Sequence, residues 1–290
     1  MLSVKCDEFD FLQVHYKRCG VYKARDKMLV FHGESNMKIV AIIPSRYGST
    51  RFDGKPLALI AGKPMIRLVY ERAIQAEKIS DVFVATDDQR IYDAVLAFGG
   101  KAIMTSAKNR SGTDRVAEAA ERIGLNPDDI LVNVQGDQPL LNPACIDELV
   151  EPFFVDPDLE MSTLVFKITN KDEITNPKDV KVTFDRSGFA LYFSRSPIPC
   201  SRNSSNLSAC DTQAGNFDTY KHLGFYAYTR RFLEIFRNLP EGKLERIEKL
   251  EQLRALEYGH KIKVVVTGYD SPEVDLPGDI AKVEQIMMAS

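Results

Sequence analysis

Cysteine is scarce and badly placed for cross-linking: Cys6, Cys19, Cys145, Cys200 and Cys210 are an odd number with no CxxC pair. That excludes a disulfide framework and a zinc knuckle, and it points to a reducing compartment, the cytoplasm. No apolar run approaches the length that crosses a bilayer, so no membrane partner is expected. A surplus of either charge is missing too. The formal net charge of -3 gives no general attraction for nucleic acid, so any anion site has to be local. Internal repeats and low-complexity tracts are absent. What is there, 44% hydrophobic and 27% charged residues in a chain of 290, suits a globular protein with room for one large α/β domain or two ordinary ones.

Residues 1–36 carry no readable address. Lys5, Asp7, Glu8 and Asp10 interrupt any signal-peptide core, and acids are too frequent for an organelle transit sequence. We read 1–36 as an extension outside the core and 37–290 as the working domain, because Met37 stands directly before the first core strand.

That strand opens the stretch Lys38 to Lys55, KIVAIIPSRYGSTRFDGK. Its apolar run, Ile39 to Ile43, is short enough for a strand buried on both faces, as in parallel sheets. After Pro44 the sequence turns at once to small residues interspersed with the cations Arg46, Arg51 and Lys55. In open α/β sheets ligands bind beyond the carboxyl ends of strands, where small residues let backbone N–H groups approach phosphate oxygens. The loop reads either as a polyphosphate cradle or as a solvated basic loop. It has neither the GKS/GKT ending of a P-loop nor the GxGxxG fingerprint, which disfavours a nicotinamide dehydrogenase.

Further along, Pro64 predicts a helix from Met65 to about Glu77. Asp81 to Thr86 is a second buried strand, followed by a helix over Gln89 to Phe98; alternation of this kind argues a parallel sheet. Ser111 caps a helix running through Val116 to Ile123. Asp129 to Val134 is another strand, ending at Gln135-Gly136-Asp137-Gln138-Pro139, where a carboxylate is well placed to hold Mg²⁺ and with it substrate phosphates. From Met161 the chain turns β-rich, with a hairpin around Asp185 to Gly188. Ser201 to Asp218 reads as a loop or arm, Tyr220 to Tyr228 as a strand followed by a helix from Arg230. Leu244, Ile247, Leu250, Leu253 and Leu256 recur every third residue, which predicts a helix buried on more than one side. Ile262 to Thr267 is a last strand and Pro277 to Met288 a last helix.

Pro44 to Arg51, Gly54-Lys-Pro-Leu57 and Gly62-Lys-Pro-Met-Ile66 together closely resemble the opening of the 3-deoxy-manno-octulosonate cytidylyltransferases, and the likeness continues from Met37 almost to the C-terminus. The resemblance implies a Rossmann-like α/β nucleotidyltransferase: a mostly parallel central sheet with helices on both faces, a nucleotide-binding part over about 37–150, and a β-rich sugar-binding and dimerisation lobe over about 160–260. It implies a homodimer that transfers CMP from CTP to the octulosonate, with release of pyrophosphate, for lipopolysaccharide synthesis.

Positioning and electrostatics can carry such a reaction without a covalent intermediate. Arg46, Arg51 and Lys55 would neutralise the triphosphate. The resemblance adds Ser49, Ser111, Gly112, Arg115 and Gln135 to the nucleotide site. It places Gln135, Arg195, His222, Tyr226, Glu251 and Gln252 on the sugar, with Arg202 as a weaker match, and Asp137 and Asp275 on Mg²⁺. Arg46, Lys55 and Asp137 would be the catalytic set.

Departures from the pattern are local. Leu276 and Gly278 alter the segment around Asp275, which makes Asp279 the substitute ligand; Asp53, Gln138 and Arg246 replace Pro, Glu and His. Two other readings stay open: a CMP-acylneuraminate synthetase, and a CTP-binding regulator without catalysis. Pyrophosphate release with each acceptor separates them.

Overall fold

The computed structural model describes residues 23–24, 27–28, 37–48, 51–200 and 218–289. The chain divides into two compact units, Met1–Asn36 and Met37–Ser290. In the first, Lys23–Ala24 (β1) and Lys27–Met28 (β2) pair antiparallel. Ser49, Arg202 and most of the expected Ser201–Asp218 arm lie outside the described residues.

The second unit is built on Ile39–Ser45 (β3). Its alternate residues enter different cores: Ile39, Ala41 and Ile43 on one face, Val40 and Ile42 on the other. Burial on both faces is why the run lacks polar alternation. The small antiparallel pair Leu59–Ile60 (β4) and Lys63–Pro64 (β5) leads into Met65–Ala73 (α1). Asp81–Thr86 (β6), Gln89–Ala97 (α2), Ala102–Met104 (β7), Gly112–Ile123 (α3), Ile130–Asn133 (β8) and Pro143–Val155 (α4) follow. The strands β7, β6, β3 and β8 lie side by side and parallel. Helices α1, α2 and α4 bury their apolar residues against one face. The other face is covered by α3 together with Arg230–Asn238 (α6) and Gln252–Glu257 (α8).

Beyond β8 the sheet changes direction. Met161–Lys167 (β9), the short helix Asp172–Thr175 (α5) and the hairpin Lys181–Phe184 (β10) and Ala190–Ser194 (β11) precede Tyr220–Thr229 (β12). Strand β12 runs antiparallel to β8, β9 and β10, and Lys263–Thr267 (β13) lies parallel to β9. The first half is wholly parallel, the second combines antiparallel pairs with the parallel pair β9–β13, and the sheet as a whole is mixed. Between His222 and Tyr226 the register of β12 shifts, and Gly224 takes a φ of 78°. This bulge lets one strand serve both halves: residues 220–221 pair β10, while 226–229 pair β8.

Three expectations change. Helix α1 ends at Ala73 rather than near Glu77. The leucine-spaced stretch is two short helices, Lys243–Glu248 (α7) and α8, separated by Lys249 at a φ of 54°. Ile247 is therefore exposed while Leu250 and Leu253 are buried. The last helix, Asp279–Ala289 (α9), begins after Gly278.

Candidate active site

The carboxyl ends of β3 and β8 deliver their loops to the same place. Gly54 N–H donates to the Tyr47 carbonyl at 3.0 Å and closes the loop after β3. Gly54 has a φ of 67°, which favours glycine, and a Cβ there would stand 3.0 Å from Tyr47 Oη. The closure turns Lys55 inward.

Lys55 Nζ donates to Asp137 Oδ2 at 2.6 Å and to the Val274 carbonyl at 3.0 Å. Asp275 Oδ1 lies 3.9 Å from the same ammonium, and Arg51 Nη1 donates to Asp275 Oδ2 at 3.1 Å. Val274 N–H reaches the Asp137 carbonyl at 2.9 Å, which ties the distant segment to the β8 loop. Residues far apart in sequence thus form one cluster of two carboxylates and two cations. Asp279 takes a different part: its Oδ2 accepts the backbone N–H groups of Asp275 and Leu276. It holds the turn that presents Asp275.

Adjoining cavities surround the cluster. One of about 240 Å³ is lined by Ser45, Arg46, Arg51, Lys55, Gln135 and Asp137. A second, of about 180 Å³, continues past Arg46 to Ser111, Gly112 and Arg115. Arg46 is exposed, whereas Arg115 is buried with its fork on Thr105 and Asp87. Ser111 caps α3 by accepting Asp114 N–H at 3.1 Å. The Ser45 hydroxyl, at the wall of both cavities, has no hydrogen-bond partner among the described residues.

The residues assigned to the sugar divide among several environments. Glu251 accepts from the Ser111 and Thr113 hydroxyls at 3.1 and 2.9 Å, and faces a cavity of about 730 Å³ shared with Arg46. Burial raises its carboxyl above the ordinary range. Gln252 is buried with its amide nitrogen unpartnered among the described residues. Arg195, by contrast, turns its guanidinium to the carbonyls of Glu248, Pro177 and Lys249. His222 Nε2 lies 2.8 Å from Thr163 Oγ1. Since that hydroxyl donates to the Phe225 carbonyl at 2.6 Å, the imidazole nitrogen is the donor. Burial pushes the His222 imidazole down to about 3, so it is neutral. Tyr226 packs against it with ring centres 5.2 Å apart, and burial raises its phenol well above the ordinary value.

Gln135 and Gln138 have a function in the fold that their motif does not announce. Gln135 Nε2 donates to the Gly224 carbonyl at 2.7 Å and Gln138 Nε2 to the Leu223 carbonyl at 2.8 Å, so both pin the bulge of β12. A carboxylate at 138 would set oxygen against oxygen, which accounts for the amide. Gln138 also lies 3.3 Å from Glu273 Oε1. Loss of solvent and then the charges of Asp137 and Asp275 push the Glu273 carboxyl up to about 7.

Magnesium ordinarily takes one or two carboxylates and completes its shell with water and substrate phosphates. Asp137 and Asp275, either side of one ammonium at the strand ends, fit that requirement, although no group of three or more ligating side chains is gathered among the described residues.

Comparison with known proteins agrees with this arrangement. Residues 40–262 match the family model described as cytidylyltransferase. The chain belongs to the cytidylyltransferase family. The cytidylyltransferase is 64% identical over 251 residues to the 3-deoxy-manno-octulosonate cytidylyltransferase of Desulfosudis oleivorans, covering 87% of this chain and 98% of that protein. It is 53% identical over 249 residues to the 8-amino-3,8-dideoxy-manno-octulosonate cytidylyltransferase of Shewanella amazonensis, covering 86% and 98%. A solved CMP:2-keto-3-deoxy-manno-octonic acid synthetase, complexed with CTP, superposes with a TM-score of 0.79 at 43% identity, over 87% of this chain and 99% of that one. The resemblance carried by the opening motifs is borne out.

Thr113, Gln138 and Glu273 were not assigned to the site by sequence reasoning. Thr113 lies inside the Ser111-to-Arg115 motif, and Glu273 stands two residues before Asp275; proximity to a proposed ligand was the available signal for each.

Proposed function

We propose that the chain transfers CMP from CTP to 3-deoxy-manno-octulosonate. The observation that carries this is the junction of Lys55, Asp137 and Asp275 beside a cavity walled by Arg46 and Arg51, in a chain whose relatives bear that name. The anomeric 2-hydroxyl oxygen attacks the α-phosphorus, the bond from that phosphorus to the β-phosphate oxygen breaks, pyrophosphate leaves, and the hydroxyl proton passes to solvent. Arg46 and Arg51 offer forked donors to the triphosphate and Lys55 a point charge. Asp137 and Asp275 would hold Mg²⁺, which offsets charge on the leaving pyrophosphate. Glu251, through Ser111, links the acceptor side to the nucleotide loop.

The setting we infer is the cytoplasm and lipopolysaccharide synthesis, with the protein as a homodimer. Pyrophosphate release from CTP and Mg²⁺ tests the reaction: the octulosonate should support it and N-acetylneuraminate should not. Sialic acid-dependent release would transfer the chain to the acylneuraminate reading, and CTP binding without release would make it a regulator.

A second acceptor is favoured by a specific feature. Beside Asp275 lies a cavity of about 380 Å³ whose walls carry six carboxylates against three lysines. Such a surplus suits an acceptor with a cationic group, as in the 8-amino sugar for which the Shewanella relative is named.

A further inference from the structure

We infer that Thr113 is a positioning residue for the reaction: from inside α3 its hydroxyl holds the Glu251 carboxylate in the orientation that receives the acceptor's hydroxyl groups. The inference rests on the cytidylyl-transfer reading above and deepens it.

A threonine within a helix ordinarily turns its hydroxyl to a carbonyl of the preceding turn. Thr113 does otherwise. It is the second residue of α3 and 4% exposed, and its Oγ1 donates at 2.9 Å to Oε2 of Glu251, 138 residues away in the sequence. Ser111 Oγ donates to the other oxygen, Oε1, at 3.1 Å. Both hydroxyls stand at the N-terminus of α3, the end of a helix that favours an anion. The backbone before Glu251 is fixed separately, since Arg195 donates to the carbonyls of Glu248 and Lys249. What the two hydroxyls fix is the direction of the side chain. Its rotamers are thus ordered before an acceptor arrives, and that ordering is not charged against binding. An ionised carboxylate has about four lone-pair sites; two are taken, which leaves capacity for the acceptor's hydroxyls.

The same contact bears on charge. Burial raises the Glu251 carboxyl, and the hydrogen bond from Thr113 is the strongest influence holding it down, ahead of Arg254 and Ser111. Arg254 Nη2 stands 3.7 Å from Oε1, while Asp114 on α3 works against ionisation. On β12 the phenols of Tyr226 and Tyr228 are raised by burial and stay neutral. Around the cavity of about 730 Å³, Arg46, Arg110 and Lys249 are set against Glu241 and Glu245. Only the ionised carboxylate accepts on both oxygens. Loss of the Thr113 bond therefore weakens acceptor binding in two ways: the side chain is freed, and a larger share of it carries a proton. Ser111 is the poorer probe of this, because its oxygen also accepts Asp114 N–H as the cap of α3.

The test is Thr113→Val, which keeps the shape of the side chain and removes its donor, beside Thr113→Ser, which keeps the donor. Pyrophosphate release with the octulosonate at saturating CTP gives kcat and KM as functions of pH, and calorimetry gives Kd for CTP. We expect Thr113→Val to raise KM for the octulosonate at least about tenfold at neutral pH, as loss of one hydrogen bond to a charged group does, with much smaller changes in kcat and in CTP affinity. The acid limb of kcat/KM should move upward by about one pH unit. Raising the pH should then recover part of the valine variant's KM, Thr113→Ser should stay close to wild type, and Thr113→Val should add little in a Glu251→Gln background. Thr113→Ala carries the same comparison if urea unfolding shows the valine variant to be destabilised. An equal loss of CTP and acceptor binding, a KM defect that pH does not alter, or an undiminished effect in the Glu251→Gln background would overturn the inference and make Thr113 a packing residue of α3. Wild type that releases no pyrophosphate with the octulosonate would instead sink the transfer reading on which the inference stands.

Discussion

The guanidinium of Arg90 lies 3.2 Å from the centre of the Tyr47 ring. Asp88 fixes the cation from its other side, accepting from Arg90 Nε at 3.0 Å and Nη2 at 2.7 Å while capping α2. Tyr47 in turn packs beneath Gly54. The loop that presents Arg46, Arg51 and Lys55 is therefore clamped from α2, outside the site. Removing the clamp should loosen the cations without changing the chemistry. Arg90→Met is expected to raise KM for CTP several-fold with a smaller change in kcat, and Arg90→Lys to restore part of the loss. Steady-state kinetics with varied CTP checks this; an unchanged KM would show that the loop holds itself.

Asp137→Asn removes a proposed metal ligand and leaves Lys55 with a weaker partner. Pyrophosphate release should fall by roughly a hundredfold or more, with Mn²⁺ affinity falling in parallel. Asp275→Asn should do the same, while Asp279→Asn should mainly loosen the turn that presents Asp275. If Asp279→Asn proves as damaging to metal affinity as Asp275→Asn, the ligand assignment is reversed.

Arg254 and Glu245 form a buried pair, each side chain 10% exposed, with a second bond from Arg254 Nε to Glu245 Oε2 at 2.8 Å. Arg254→Leu leaves a buried carboxylate without its cation and should cost about 3 kcal/mol. Urea unfolding measures it. The double variant Arg254→Leu with Glu245→Gln should recover much of that loss, because the uncompensated charge is gone.

His222 makes stability depend on pH in a definite direction. Its folded value, about 3, lies below the unfolded value of about 6.5, so between them the unfolded chain binds a proton that the native chain refuses. Stability is full above the unfolded value and declines as pH falls toward the folded one. The contribution lost by pH 4 is about 3 kcal/mol. Unfolding midpoints from pH 7 to pH 4 should fall more steeply for the wild type than for His222→Gln; parallel curves would assign the acid sensitivity to the carboxylates.

The parts of this fold that were plain in the sequence are those whose physics is local. Ile39 to Ile43 announces a doubly buried strand because five consecutive positions are apolar, and Ser111 announces a cap because its oxygen serves an amide three residues on. The bulge at Gly224 was not plain: Tyr220 to Tyr228 reads as one uninterrupted strand, and what bends it is a pair of glutamines from another loop. The break at Lys249 was hidden in the same way, since a non-glycine residue at positive φ carries no compositional sign. At the site, the cations and Asp137 stood out at strand ends. Asp275 was found through motif resemblance alone. Nor could spacing reveal that Arg195 is engaged by backbone carbonyls.

The bulged strand β12 has a further consequence. Along one edge its residues 226–229 hydrogen-bond to β8 and its residues 220–221 to β10, while β9 runs along the other edge, and its bend is held by Gln135 and Gln138 from the loop that also supplies Asp137. Among the described residues, the second unit therefore does not divide into a donor module and an acceptor module. Chimaeras that graft one relative's acceptor half onto another's nucleotide half would have to match the two glutamines to a foreign bend. Acceptor preference in this architecture should therefore diverge by single replacements in the loops around β12, and not by exchange of domains.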